Sequence, residues 1–159
     1  MLDLIPKIWY DTIMDKLPVK RILLIAAFAA YILVMVYITL LSRDATVATI
    51  ELHPLASYRR AANAPRHLAI IEIRNAILNI AMFVPLGIFM PLLSAKFRKS
   101  CLALPIALLT SLAIEIAQLV THRGVFSIED IIHNTLGAAL GLTLFLTAPK
   151  IFNMFCYNR

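Results

Sequence analysis

The sequence is short of charge, short of cysteine and empty of any motif that presents a nucleotide or a nucleophile. Only 15% of its 159 residues are Asp, Glu, Lys or Arg, against 61% hydrophobic, and the mean hydropathy is +0.84. A soluble domain carries about 25% charged residues, so this scarcity excludes one and leaves an integral membrane protein. The two cysteines, Cys101 and Cys156, both fall at cytoplasmic helix ends in the orientation derived below, where thiols stay reduced, and no disulfide is expected. No P-loop, nucleophile elbow or ordered Ser/His/Asp set names a hydrolase. Asp3, Asp11 and Asp15 precede an apolar run longer than a signal-peptide core, so the first span is expected to stay in the mature chain. No internal repeat or flexible linker is visible, and 1–159 reads as a single domain.

What is present is four apolar stretches, near residues 21–41, 75–95, 101–121 and 128–149. Each approaches the roughly 20 helical residues, at about 1.5 Å apiece, that cross a hydrocarbon core of about 30 Å. They are apolar on every face for most of their length, whereas barrel strands alternate, so helices are predicted. The expected class is an all-α integral membrane protein with four transmembrane helices. Before the first span, residues 1–19 place Leu4, Ile5, Ile8, Trp9, Ile13 and Leu17 at helical spacing among Asp11, Asp15 and Lys16. This predicts an amphipathic interfacial helix anchored by Trp9 and Tyr10.

Charge gives the orientation. Lys7, Lys16, Lys20, Arg21, Lys96, Arg98, Lys99, Lys150 and Arg159 lie on one side, and Arg43, Arg59, Arg60, Arg66, Arg74 and Arg123 on the other, with every lysine on the first. The positive-inside rule puts both termini in the cytoplasm and an extracytoplasmic loop at 42–74. The net charge of +6 reflects this bias and attraction to anionic lipid, and no nucleic-acid partner is implied.

Polar residues gather at the outer ends of the later spans. Glu115, Gln118 and His122 share a helical spacing, as do Asp130, Asn134, Gly137 and Gly141, and Asn75 and Asn79 lie one turn apart. An ionised group in the hydrocarbon centre costs about 2.5–3.5 kcal/mol even on lenient scales, so the charged members should face the bundle interior. Arg123 is the expected partner of Glu115 or Asp130. Ser127 and Asp130 also fit an S-x-x-D helix cap, Glu129 suits a first turn, and Asn79, Asn134, Gly137 and Gly141 read more strongly as interhelical packing. Capping does not account for Glu115 and Gln118, which lie inside a helix. The candidate ligand-binding set is therefore Asn79, Glu115, Gln118, Arg123, Asp130 and Asn134, and Arg59, Arg60 and Arg66 would extend it unless they form a solvated charged loop. Arginine suits bidentate phosphate contacts.

Pro85 and Gly87 sit in mid-span, and Pro85 predicts a kink or opening near Ala81. His53, His67, His122 and His133 all fall on the outer side, but none has a metal-motif spacing, so no metal and no cofactor are assigned.

The combination NIAMFVPLG (Asn79, Phe83, Pro85, Leu86, Gly87), IEIAQ (Glu115, Gln118) and RGVFSIEDIIHNTLGAALG (Arg123, Phe126, Asp130, Asn134, Gly137, Gly141) resembles the VanZ-like family of bacterial membrane proteins over about residues 75–142. HPL at 53–55 is similar to a weaker signature of that family. The resemblance implies a small helical protein of the bacterial cytoplasmic membrane, associated through its founding member with teicoplanin resistance. The chain departs from the pattern at Ser127, where an acidic residue is expected, and at Glu51, where asparagine is, which weakens metal and catalytic readings. Three functions are weighed. The first is a binding or modulating protein for an envelope lipid headgroup, phosphorylated or glycosylated, or for a lipoglycopeptide. The second is a membrane enzyme acting on a lipid phosphate with Glu115 or Asp130 as base. The third is a structural scaffold.

Overall fold

The computed structural model describes residues 18–45, 47–94, 96–99 and 102–156. In chain order they form α1 (Pro18–Val36), prolonged by a π-helical turn over Tyr37–Leu41, β1 (Thr49–Glu51), α2 (Ala56–Asn63), α3 (Arg66–Leu93), α4 (Lys96–Lys99), α5 (Ala103–Val120), β2 (Val125–Ser127) and α6 (Ile128–Cys156). The amphipathic helix expected over 1–19 lies outside the described residues as far as position 17, and Pro18 and Val19 open α1. Cys101 lies outside them too.

Four helices are long and apolar enough to cross a membrane: Arg21–Leu41, Arg66–Leu93, Ala103–Val120 and Ile128–Ala148. Side-chain contacts fix their relative directions. Tyr31 meets Met82 and Phe28 meets Phe89, so α1 and α3 are antiparallel. Ser111 meets Asn134 and Glu115 meets Ser127, so α5 and α6 are antiparallel as well. Gly137 lies on Ile80 and Gly141 on Val84, so α3 and α6 run in the same direction. The bundle is therefore up, down, up, down, and the polar ends of all four helices meet at one end.

Between membrane helices there is little hydrophobic drive, because lipid is as apolar as leucine, and close packing of small residues takes its place. On α5, Ala103, Ala107 and Ser111 recur every fourth residue and are almost wholly buried. They open a surface on which Phe83, Leu86 and Met90 of α3 and Ala138 of α6 pack. The same stripe continues upward as Glu115 and Gln118, each 1% exposed. One face of α5 thus supplies packing in its first half and polar chemistry in its second.

α3 remains helical through Pro85 and Pro91, with the Ala81 carbonyl left without the amide donor that Pro85 cannot supply. Beside it the Tyr31 hydroxyl reaches in from α1 and donates to the Met82 carbonyl at 2.9 Å, tying α1 to α3 at the level of this turn.

Within 42–74, expected as an outer loop whose last part begins a helix near Arg66, the described residues form β1, α2 and the first turns of α3, which does start at Arg66. β1 pairs in parallel with β2, Ile50 opposite Phe126, a small addition to an otherwise all-α fold. Leu55 adopts a left-handed φ of 70° and turns the chain into α2, and Pro65 then leads into α3. The pairing ties this cover to the junction of α5 and α6.

Candidate functional site

The site is built by helix ends that find partners on other elements. α5 stops at Val120 in a Schellman arrangement: His122 takes φ 54°, its amide donates to the Leu119 carbonyl at 3.3 Å, and the Arg123 amide donates to Gln118 at 2.9 Å. His122 consequently leaves the helix and does not share the face of Glu115 and Gln118. The reversal aims Arg123 at α1, where its guanidinium donates to the carbonyls of Leu40, Leu41 and Arg43 at 3.3, 3.1 and 3.4 Å. These are carbonyls left open at a helix C-terminus. Arg123 is thus a clamp on the end of α1, and the pairing with Glu115 or Asp130 expected for it does not form. Gln118 adds a second tie, its Nε2 donating to the Thr39 carbonyl at 3.0 Å.

The start of α6 decides where the carboxylates point. Ser127 Oγ accepts the Asp130 amide at 3.4 Å, as the S-x-x-D pattern predicts. In a full capping box the third-position acid would return to the Ser127 amide. Here Glu115 Oε2 already accepts that amide, at 2.7 Å. Asp130 is released from capping, and its carboxylate faces the Asn79 side chain instead. Glu129, next to it, reaches the other way and accepts the Ser57 amide at 2.8 Å, capping α2 from outside; Leu55 at that helix start has no side-chain cap to offer. His133 Nε2 and the Tyr58 hydroxyl, 2.8 Å apart, pin α2 to α6 a second time. Asn134 Nδ2 donates to Ser111 Oγ at 2.8 Å.

Between α1 and α3 lies a cavity of about 1220 Å³. Tyr31, Val34, Met35, Ala81, Met82 and Pro85 line its apolar length. Arg43, Arg60, Glu72, Asn79, Arg123 and Asp130 are among the groups at its polar end. From Tyr31 to Leu41 the groove follows roughly 15 Å of helix at about 1.5 Å per residue, with Arg43 just beyond its end. Arg60 bridges Glu72 at 2.9 Å and Glu51 at 3.1 Å, and the Glu72 hydrogen bond holds its guanidinium above its ordinary value. Arg43 forms no ion pair among the described residues, yet its charge acts on both Glu115 and Asp130.

The residues singled out in the sequence therefore separate. Asn79, Arg123 and Asp130 line the cavity, whereas Glu115, Gln118 and Asn134 lie behind its wall, joining α5 to α1, β2 and α6. Gly87, Gly137 and Gly141 sit at the α3–α6 crossing, and Pro85 lines the groove. Sequence reasoning missed Arg43 as a site residue, since it served there only as an orientation charge, and it missed Tyr31, Glu129 and Ser111. A usable signal for Arg43 was its place just past the end of an apolar run. Among the described residues no group of three His, Cys, Asp or Glu is arranged to hold a metal.

A helical multi-pass membrane protein with a buried polar knot and a half-open amphipathic groove at one end is the class that fold and site define. The VanZ/LLP1 family model matches residues 28–152, and the chain belongs to this VanZ-like family. No curated protein and no solved structure matches it.

Proposed function

We propose that this VanZ-like protein binds an amphiphile of the cell envelope, its acyl chain along the α1–α3 groove and its head at the charged end. The observation that carries the reading is the groove itself: apolar along two membrane-crossing helices and ending among Arg43, Asn79, Arg123 and Asp130. A membrane lipid with a phosphorylated or glycosylated headgroup has this form. So does a teicoplanin-type lipoglycopeptide, whose capture would lower susceptibility. The lysine asymmetry of the sequence supports a bacterial cytoplasmic (inner) membrane location with both termini cytoplasmic, which sets the polar end in the outer leaflet. The scaffold reading applies to Glu115, Gln118 and Asn134, whose hydrogen bonds run between elements. Of the two carboxylates considered as catalytic bases, only Asp130 faces the groove, and no catalytic role is assigned to it.

Native mass spectrometry of the protein released from its own membranes tests this. Wild type should carry a discrete amphiphile adduct that is lost when the groove is filled by Ala81→Trp and kept in the lipid-facing control Leu109→Trp. An adduct retained equally by both variants, or none in wild type, would refute the reading.

A further inference from the structure

The polar end of the groove is not uniformly basic, and its unspent charges have opposite signs. Arg60 is engaged by Glu72 and Glu51, and Arg123 is turned onto three carbonyls. Several charged groups, Asp44 among them, are left without an ion-pair partner in the described residues; of these, Arg43 after α1 and Asp130 on α6 line the cavity from different elements. They are near enough for the charge of one to act on the other, but they do not close into an ion pair. Each is held in place from behind. Gly124 leaves the space for Arg43, since a Cβ there would stand 3.2 Å from the guanidinium Nη1. Asp130 is turned toward the groove because Glu115 occupies the amide it would otherwise cap. Partly buried opposite charges kept apart are complementary to a ligand carrying both signs in reverse order.

Building on the groove reading above, we propose that this site selects a zwitterionic phospholipid headgroup, with its phosphate on Arg43 and its primary ammonium on Asp130. Asn79, beside Asp130, offers the remaining polar contact. A phosphoglycerol headgroup meets Arg43 equally well but gives Asp130 no cation, so it leaves a carboxylate uncompensated. A phosphocholine headgroup has the charge but no N–H to donate.

The test is titration of delipidated wild-type protein in detergent with phospholipids of identical acyl chains bearing phosphoethanolamine, phosphoglycerol or phosphocholine heads, read by native mass spectrometry. Phosphoethanolamine is expected to bind about tenfold tighter than either competitor, the scale of one charge-assisted hydrogen bond. Asp130→Asn should erase that preference without weakening phosphoglycerol, and Arg43→Gln should weaken all three. Equal binding of the three heads by wild type, still sensitive to Arg43→Gln, would overturn zwitterion selection and leave the groove reading standing. Absence of any saturable binding would overturn both. The comparison on wild type alone decides the selection, whether or not either variant folds.

Discussion

Substituting the glycines at the α3–α6 crossing gives the most direct test of how this bundle is held together. A Cβ built on Gly137 would stand 2.1 Å from the Ile80 carbonyl oxygen, on Gly141 2.0 Å from that of Val84, and on Gly87 2.1 Å from that of Ala138. Such contacts do not fall below 3.0 Å in real structures, so one alanine must drive the two backbones apart by about 1 Å. The obstacle is main chain in a helix, which cannot rotate aside. A radial gap of 0.5–1 Å forfeits about a quarter to a half of each dispersion contact, and overpacking costs about 1–3 kcal/mol. Gly137→Ala and Gly141→Ala are each expected to destabilise by about 2 kcal/mol. The pair together should cost clearly less than the sum, because the second methyl enters a gap the first has opened. Gly124→Ala is the contrast: its Cβ would meet Arg43 and Gln118 at 3.2–3.3 Å, contacts that a few tenths of an ångström relieve, so the loss should be under about 1 kcal/mol. Reversible unfolding in mixed micelles with increasing sodium dodecyl sulfate measures all four. Unchanged stability for both Gly137→Ala and Gly141→Ala would refute close backbone packing of α3 on α6. Strict additivity would refute a shared displacement.

Other expectations follow from the helix ends. Glu115→Gln keeps an acceptor for the Ser127 amide and should hold near wild-type stability; Glu115→Ala vacates that amide, so Asp130 can return to it, and Glu115→Ala/Asp130→Ala should lose more than the two single losses combined, as a double-mutant cycle would show. Arg123→Ala strips three carbonyls of their donor and should lower stability by about 1.5–3 kcal/mol; an unchanged melting temperature would remove Arg123 from the clamp assigned to it. His122→Gly relieves a left-handed residue at φ 54° and should stabilise by about 1 kcal/mol; destabilisation would mean that the imidazole makes a contact worth more than the strain. Ser57→Pro deletes the amide that Glu129 accepts, and faster proteolysis between α2 and α3, with α3, α5 and α6 intact, is the expected outcome.

Much of the bundle is legible in one dimension because membrane solvent acts on each segment separately. Arg21–Leu41, for example, is helical in any lipid surroundings, since no other conformation satisfies its backbone without a partner. Ser127 likewise announces the start of α6 through a cap three residues long. Partners in the site were harder to read. Arg123 sits in sequence between Glu115 and Asp130, and nearness along the chain suggested an ion pair. The Schellman turn at His122 rotates it toward α1 instead, and Arg43, from a distant segment, is the cation whose charge acts on both carboxylates.

The sequence by itself determined that the protein is a VanZ-like helical membrane protein, where its spans run, and that its polar residues cluster at one end. These follow from hydropathy, period and motif, which are properties of contiguous residues. Only the tertiary structure decided which of those polar residues knit helices together and which line a groove. That choice rests on competition for single amides and carbonyls: Glu115 takes the Ser127 amide that Asp130 would have taken, and only the folded arrangement of α5, β2 and α6 brings the competitors within reach.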